Sequence, residues 1–242
     1  MEGEKRMVSE KCFVGEVNAD KWEWSANVDL SWEGVKNRIL PKIVNFERNE
    51  TLLHGVPYIK YLDLAVIFFI PLSIGEGCVK SIAVKNEHIC LWNVDINDIL
   101  MNAKKNAVCY LPESVCFMDD LIVQMLNESK NKSFVFDDML EYIGKNQHNR
   151  ILVLSNQVNI FGASCMIYDG VLQKIADSME SDLYILPSSI HELLLLKADG
   201  MECGYRQIVQ EINSDKTLVS DKDYLSDNVY YYDRLEGKLS IV

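Results

Sequence analysis

No stretch of this chain is apolar for long enough to cross a bilayer as a helix. The longest apolar run, "LAVIFFIPL" at 64–72, is less than half of what a membrane helix needs. The amino terminus, "MEGEKRMVSEKCFVGE", is charged from its second residue and lacks the apolar core of a signal peptide. Runs of basic residues are missing too, the nearest approach being Lys104-Lys105. Acidic residues outnumber basic ones 36 to 24, a net charge of −12, so the surface should repel phosphate backbones and disfavour nucleic acid. There is no G-x-S-x-G nucleophile elbow anywhere in the chain. The glycines at "GEG", 75–77, lack the Lys-Ser/Thr and following helix of a phosphate loop, and are read as a hairpin turn. Seven cysteines, odd in number and irregular in spacing, do not make a disulfide framework. They predict reduced, mostly buried thiols and fit a cytoplasmic protein, with no membrane among its expected partners.

What the sequence does contain is an ordinary globular balance, 48% hydrophobic and 25% charged, in 242 residues. The first 25 or so residues show no clear period. "DLSWEGVKNRILPKIVNFERN" reads as a helix capped by Ser31, with Trp32, Val35, Ile39, Ile43 and Phe46 on one stripe and a kink at Pro41. "VPYIKYLDLAVIFFIPL" and "CVKSIAVKNEHICLW" read as strands, the second turning at Asn86-Glu87 so that Ile82, Val84, Ile89 and Leu91 share a core face. Asp95 should cap a helix carrying Ile96, Ile99, Leu100 and Ala103, and Ser114 a further helix through Leu126.

The polar "NESKNKS" marks the best boundary. It divides an irregular segment 1–28 and a first α+β unit 29–127 from a second α+β unit 134–242, two units that could also pack as one domain. In the second unit "DDMLEYIGK", "GVLQKIADSM" and the stretch around Tyr205–Ile212 read as helices. "RILVLS", "FGASCMIYD", "DLYILP", "ELLLLK", "NVYYYDR" and "KLSIV" read as strands, the last two as a hairpin around "LEG". Paired strands alternating with amphipathic helices predict an α+β fold with mainly antiparallel hairpins.

"LPSSIHELLLL", Leu186 to Leu196, gathers the residue types of an active site. Ser188, Ser189, His191 and Glu192 are candidate catalytic residues, with Cys165 as an alternative nucleophile. A zinc protease would need a histidine at position 195, where Leu195 stands. A serine triad would need an acid partner and oxyanion donors that the stretch does not supply. The competing expectation is a tight turn between two strands, with Leu193 to Leu196 covered on both faces and His191 bracing the turn by hydrogen bonding. His88 with Cys90, and Cys109 with Cys116 seven residues apart, fall short of a metal site, so no metal and no cofactor are expected. "YYYDR", 230–234, could stack a ligand, but alternating tyrosines on a strand more often pack on one face and meet solvent on the other.

The stretches "VKNRIL-KIVNFERN", "LDLAVIF", "KNEHICLW", "FGASCMIYDGVL", "LYILPSSIHE" and "DNVYYYDR" resemble a family of domain-of-unknown-function proteins from gut Clostridia such as Lachnospiraceae, from about Asp29 to Arg234. The second half is more faintly similar to an uncharacterised bacillar family. The resemblance implies a bacterial, cytoplasmic origin and brings no activity, cofactor or catalytic residue. This chain departs from that family's pattern at Pro41, where an aromatic residue is usual, and in the family's N-terminal region. The resulting expectation is a non-catalytic interaction or regulatory protein whose partner is another protein. The alternative is a hydrolase with a Cys or Ser nucleophile and His191 as base.

Overall fold

The computed structural model describes residues 21–23, 29–75, 78–126, 136–145, 150–198, 200 and 202–242. The first half runs β1 (Lys21–Glu23), α1 (Trp32–Val35), β2 (Leu40–Asn45), α2 (Glu50–Leu53), β3 (Ile59–Tyr61), β4 (Leu64–Gly75), β5 (Cys78–Ala83), α3 (Asn86–Trp92) and α4 (Ile96–Tyr110). The second half runs β6 (Glu113–Phe117), α5 (Met118–Leu126), α6 (Phe136–Lys145), β7 (Leu152–Asn156), a 3-10 segment (Gly162–Ile167), α7 (Val171–Met179), β8 (Leu183–Ser189), β9 (Glu192–Lys197), α8 (Glu202–Ser214), β10 (Tyr230–Asp233) and β11 (Lys238–Ile241). The fold is α+β and every strand pairing is antiparallel among the described residues.

The long apolar β4 is the hub of the first sheet. β2 pairs with its residues 64–69 and β1 with 73–75, while β3 and β5 pair along the other edge. Leu62, in a left-handed conformation with φ 57°, makes the two-residue turn that returns β3 into β4. The second sheet has the order β11-β10-β8-β9-β7-β6. A single buried cluster joins the halves, running from Val35, Ile43, Phe68 and Ile99 to Leu154, Ile175, Leu193 and Tyr230. β9 lies inside the second sheet, as its leucine run predicts. Leu193 and Leu195 are fully buried on the main core, and the half-buried Leu194 and Leu196 pack with Tyr184, Leu186 and Val209 under α8.

Several elements differ from the sequence reading. The helix expected across Pro41 is a four-residue α1, capped by the Ser31 hydroxyl, followed by β2. Val35, Ile39 and Ile43 are fully buried, as the stripe requires, but pairing with β4 draws Ile43 into a strand. Ile43 directs its N–H away from β4 to the Ser164 hydroxyl, 3.1 Å. Pro41, two residues earlier, has its missing amide on that same outer side, where a strand tolerates it.

The hairpin expected at Asn86-Glu87 is instead the start of α3, where His88 Nδ1 accepts the Lys85 N–H at 3.1 Å. His88 stacks on Trp92, and Leu91, expected in the core, is 81% exposed. "FGASCMIYD" is a 3-10 segment, because the Asn156 carboxamide accepts the N–H groups of Val158 and Ile160 and curls the chain after β7. Ser114 lies in β6 rather than at a helix start. "NESKNKS" and all but Lys21–Glu23 of the first 25 residues lie outside the described residues.

Other readings hold. Asp95 caps α4 by accepting the Asn97 N–H at 2.7 Å. The last two strands form the expected hairpin. Among the described residues no helix is long and apolar enough to cross a membrane.

Candidate functional site

The β8–β9 turn carries the candidate side chains of "LPSSIHELLLL". β8 continues past Pro187 to Ser189, and an irregularity between Pro187 and Ser189 absorbs the mismatch with β9. Ser188 donates its hydroxyl to Glu192 Oε1 at 3.1 Å. Ser189 Oγ accepts the His191 N–H at 3.0 Å, the short-range bond that serines favour in turns.

The His191 ring reaches across to two other segments. Its Nδ1 accepts the N–H of Phe161 at 3.2 Å, and its Nε2 stands 3.4 Å from Asp223 Oδ1. A neutral imidazole has one acceptor nitrogen and one N–H, so these partners fix the tautomer with the proton on Nε2. The backbone is tied in as well. Ser155 donates its hydroxyl to the His191 carbonyl at 2.8 Å, and Ile190 exchanges bonds with Ala163 and Asp223.

Phe161 sits at φ 53°, uncommon for an aromatic residue, and its ring stacks on His191 with centroids 5.8 Å apart and planes at 18°. The Lys42 ammonium lies 4.1 Å from the centre of the Phe161 ring, and Phe69 meets that ring edge-on. Burial lowers the Lys42 pKa and the Asp223 carboxylate opposes that shift. Gly162 is required here, because a Cβ would collide with the Ser155 hydroxyl and the His191 carbonyl.

Cys165 is fully buried and its thiol donates to the Ser155 carbonyl at 3.1 Å. Burial first, then the nearby Glu113 carboxylate, pushes its pKa well above the usual thiol value. That is the reverse of the shift an activated nucleophile needs. The structure thus gathers Cys165, Ser188, Ser189, His191 and Glu192 around one turn, with each polar group bonded to a neighbour. The acid beside His191 is Asp223, which the sequence reading missed. It lies 32 residues downstream, in a polar stretch that carries no motif.

The metal candidates separate. Cys90 and Cys109 are exposed on α3 and α4, and Cys116 is half-buried on β6 with its thiol pKa pushed up to about 11 by burial. No cluster of three His, Cys, Asp or Glu side chains forms a metal cage among the described residues. The tyrosines of β10 alternate. Tyr230 and Tyr232 are buried and Tyr231 faces the other side, their phenols donating to Asp63, Gln173 and Asp182.

A cavity of about 400 Å³ opens where the two halves meet, lined by Phe46, Lys60, Asp63, Tyr224, Ser226 and Asn228 among others. Its central carboxylate, Asp63, is already saturated by Ser226 at 2.6 Å, Tyr230 at 2.8 Å and Asn228 at 3.0 Å. Its aromatic faces are covered by the chain's own cations, Arg48 over Tyr224 and Lys60 over Phe46.

No curated protein and no solved structure matches this chain significantly. A family match extends over residues 5–234, reaching back beyond Asp29 and taking in the β8–β9 turn, Asp223 and the tyrosine strand. The chain belongs to the family described as "Family of unknown function (DUF5688)".

Proposed function

We propose that the chain is a non-catalytic interaction or regulatory protein of the bacterial cytoplasm, with another protein as its partner. One observation carries the non-catalytic reading. A general base must offer a lone pair to the proton of its nucleophile. The only such lone pair on neutral His191 is turned to the Phe161 amide, while the other ring nitrogen faces Asp223. Around it Cys165 is sealed in the core and Ser188 is bonded to Glu192. A protein partner is supported by the charge of −12, which opposes nucleic acid, and by apolar side chains left open on helices, Leu91, Met101 and Val123.

The competing reading is a hydrolase with Cys165, Ser188 or Ser189 as nucleophile. It is favoured by an acid beside the imidazole, Asp223, which stands at Nε2 rather than at the Nδ1 that a serine triad uses. Active-site labelling separates the two. The folded protein is treated with a fluorophosphonate for serine and iodoacetamide for cysteine, then mapped by mass spectrometry. Cys90 and Cys109 should be alkylated in the native state, Cys165 only after unfolding, and Ser188 and Ser189 not at all. Stoichiometric labelling of Ser188, Ser189 or Cys165 in the folded protein, lost in His191→Ala, would establish the hydrolase instead.

A further inference from the structure

The bond between His191 and Phe161 holds a backbone amide with a titratable side chain. That acceptor exists only while the imidazole is neutral, because protonation places an N–H on Nδ1. Two donors would then face one another across the present 3.2 Å. The other nitrogen responds in the opposite sense, since Nε2 stands 3.4 Å from Asp223 Oδ1 and a cationic ring is attracted to that carboxylate more strongly. Acid therefore strengthens the ring's attraction to Asp223 and abolishes its bond to the Phe161 amide. Phe161 is the partner set to move. Its φ of 53° lies in the left-handed region, which is uncommon for a bulky aromatic residue.

The charged groups around the ring come from three directions. Asp223 approaches from the stretch before β10, and Lys42 from β2, its ammonium resting on the Phe161 ring. Glu192, from β9, is bonded to Ser188. A second positive charge on the stacked imidazole would add to that of the Lys42 ammonium, which rests on the same Phe161 ring. The His191 side chain is 37% exposed, so solvent protons reach it without prior unfolding.

We infer that His191 is a proton-operated latch: neutral, it clasps the amide of Phe161 and ties it to the β8–β9 turn, and protonated, it stays with Asp223 and lets that amide go. This goes beyond the proposed function and holds whether or not the chain has a catalytic activity.

The test is made on the whole protein by NMR, across roughly pH 5–8, where histidine changes charge. Imidazole nitrogen shifts should show a bare Nδ1 and a protonated Nε2 at the upper end. As His191 titrates, the exchange rate of the Phe161 amide, corrected for its intrinsic pH dependence, should rise at least tenfold, while β7 and β9 amides keep their protection. In His191→Phe, which stacks but cannot accept, the Phe161 amide should exchange fast at every pH. If that variant does not fold, the wild-type titration decides alone. A proton on Nδ1 in the neutral ring, or a Phe161 amide whose protection is constant through the His191 titration, would overturn the latch.

Discussion

Gly162 shows how tightly the turn region is built. It starts the 3-10 segment directly after left-handed Phe161, and its α-carbon faces a β7 hydroxyl and a carbonyl of the β8–β9 turn. One of the groups a methyl would strike is backbone and cannot rotate away. Gly162→Ala should therefore cost about 3 kcal/mol or more, the upper range for overpacking, and it should lower the urea midpoint accordingly. Neighbouring leucines of β9 provide the complementary case. Leu195 is fully buried on the main core while Leu194 is half-buried under α8. Leu195→Ala should cost about 3–5 kcal/mol and Leu194→Ala distinctly less, about 1–2 kcal/mol, for the smaller cavity it leaves. Equal losses in urea melts would mean that α8 seals its face of the sheet as tightly as the core does. At this scale the sequence was informative about which leucines matter but not about their ranking, because alternation assigns a face and not its depth. It could not reveal the Phe161 amide at all: the acceptor's partner is a backbone group, and residue types carry no sign of it.

Among the elements, those built by local rules were legible. α7 buries the residues its spacing selects and α4 buries Ile99 and Ala103, with Ile96 and Leu100 half-buried against the core, and the β8–β9 and β10–β11 hairpins form between adjacent runs with short turns. Elements that depend on distant partners were not. Val35, Ile39 and Ile43, four apart, fit a helical stripe, yet β2 is decided by the apolar β4 across the turn. The β-branched density of "CVKSIAVKNEHICLW" hid the helix that His88 starts by capping Lys85. The β3–β4 turn depends on its partner in the same way. Asp63 receives three side-chain donors from residues 226–230, and the fully buried Tyr230 has its phenol on that carboxylate. Asp63→Ala would leave those donors without their acceptor, at a cost of roughly 2–4 kcal/mol, since bonds to a charged group are the stronger kind. Asp63→Asn, which keeps one oxygen, should recover part of that loss. Thermal melts of the two variants that coincide would show that the charge contributes nothing to the clasp.

For the molecule as a whole, the tyrosines set a limit on the alkaline side. Tyr224 is pushed up to about 12 mainly by burial, and Tyr231 to about 12 mainly by its bond to Asp182. Burial also raises Tyr61, Tyr168, Tyr230 and Tyr232. A folded pKa above the unfolded one leaves stability intact below the unfolded value, about 10 for tyrosine, and removes it as pH climbs toward the folded value. Stability should therefore fall steeply between about pH 10 and 12, with phenolate absorbance appearing together with loss of the near-ultraviolet dichroism. Phenolate rising smoothly with dichroism unchanged would show that the buried phenols ionise in place. Because one apolar cluster runs through both halves, that loss should be a single transition.

The same closure has a consequence for how the chain is made. The carboxylate at the β3–β4 turn waits for donors that lie 163 to 167 residues further along. The outer edge of β2 waits for Ser164, 121 residues after the amide it caps. A ribosome releasing this polypeptide thus exposes the long apolar β4 and its first sheet well before their covering partners exist. The first half cannot reach its final packing during synthesis, and until residues 226–230 emerge it is a natural client for chaperones that shield unfinished cores.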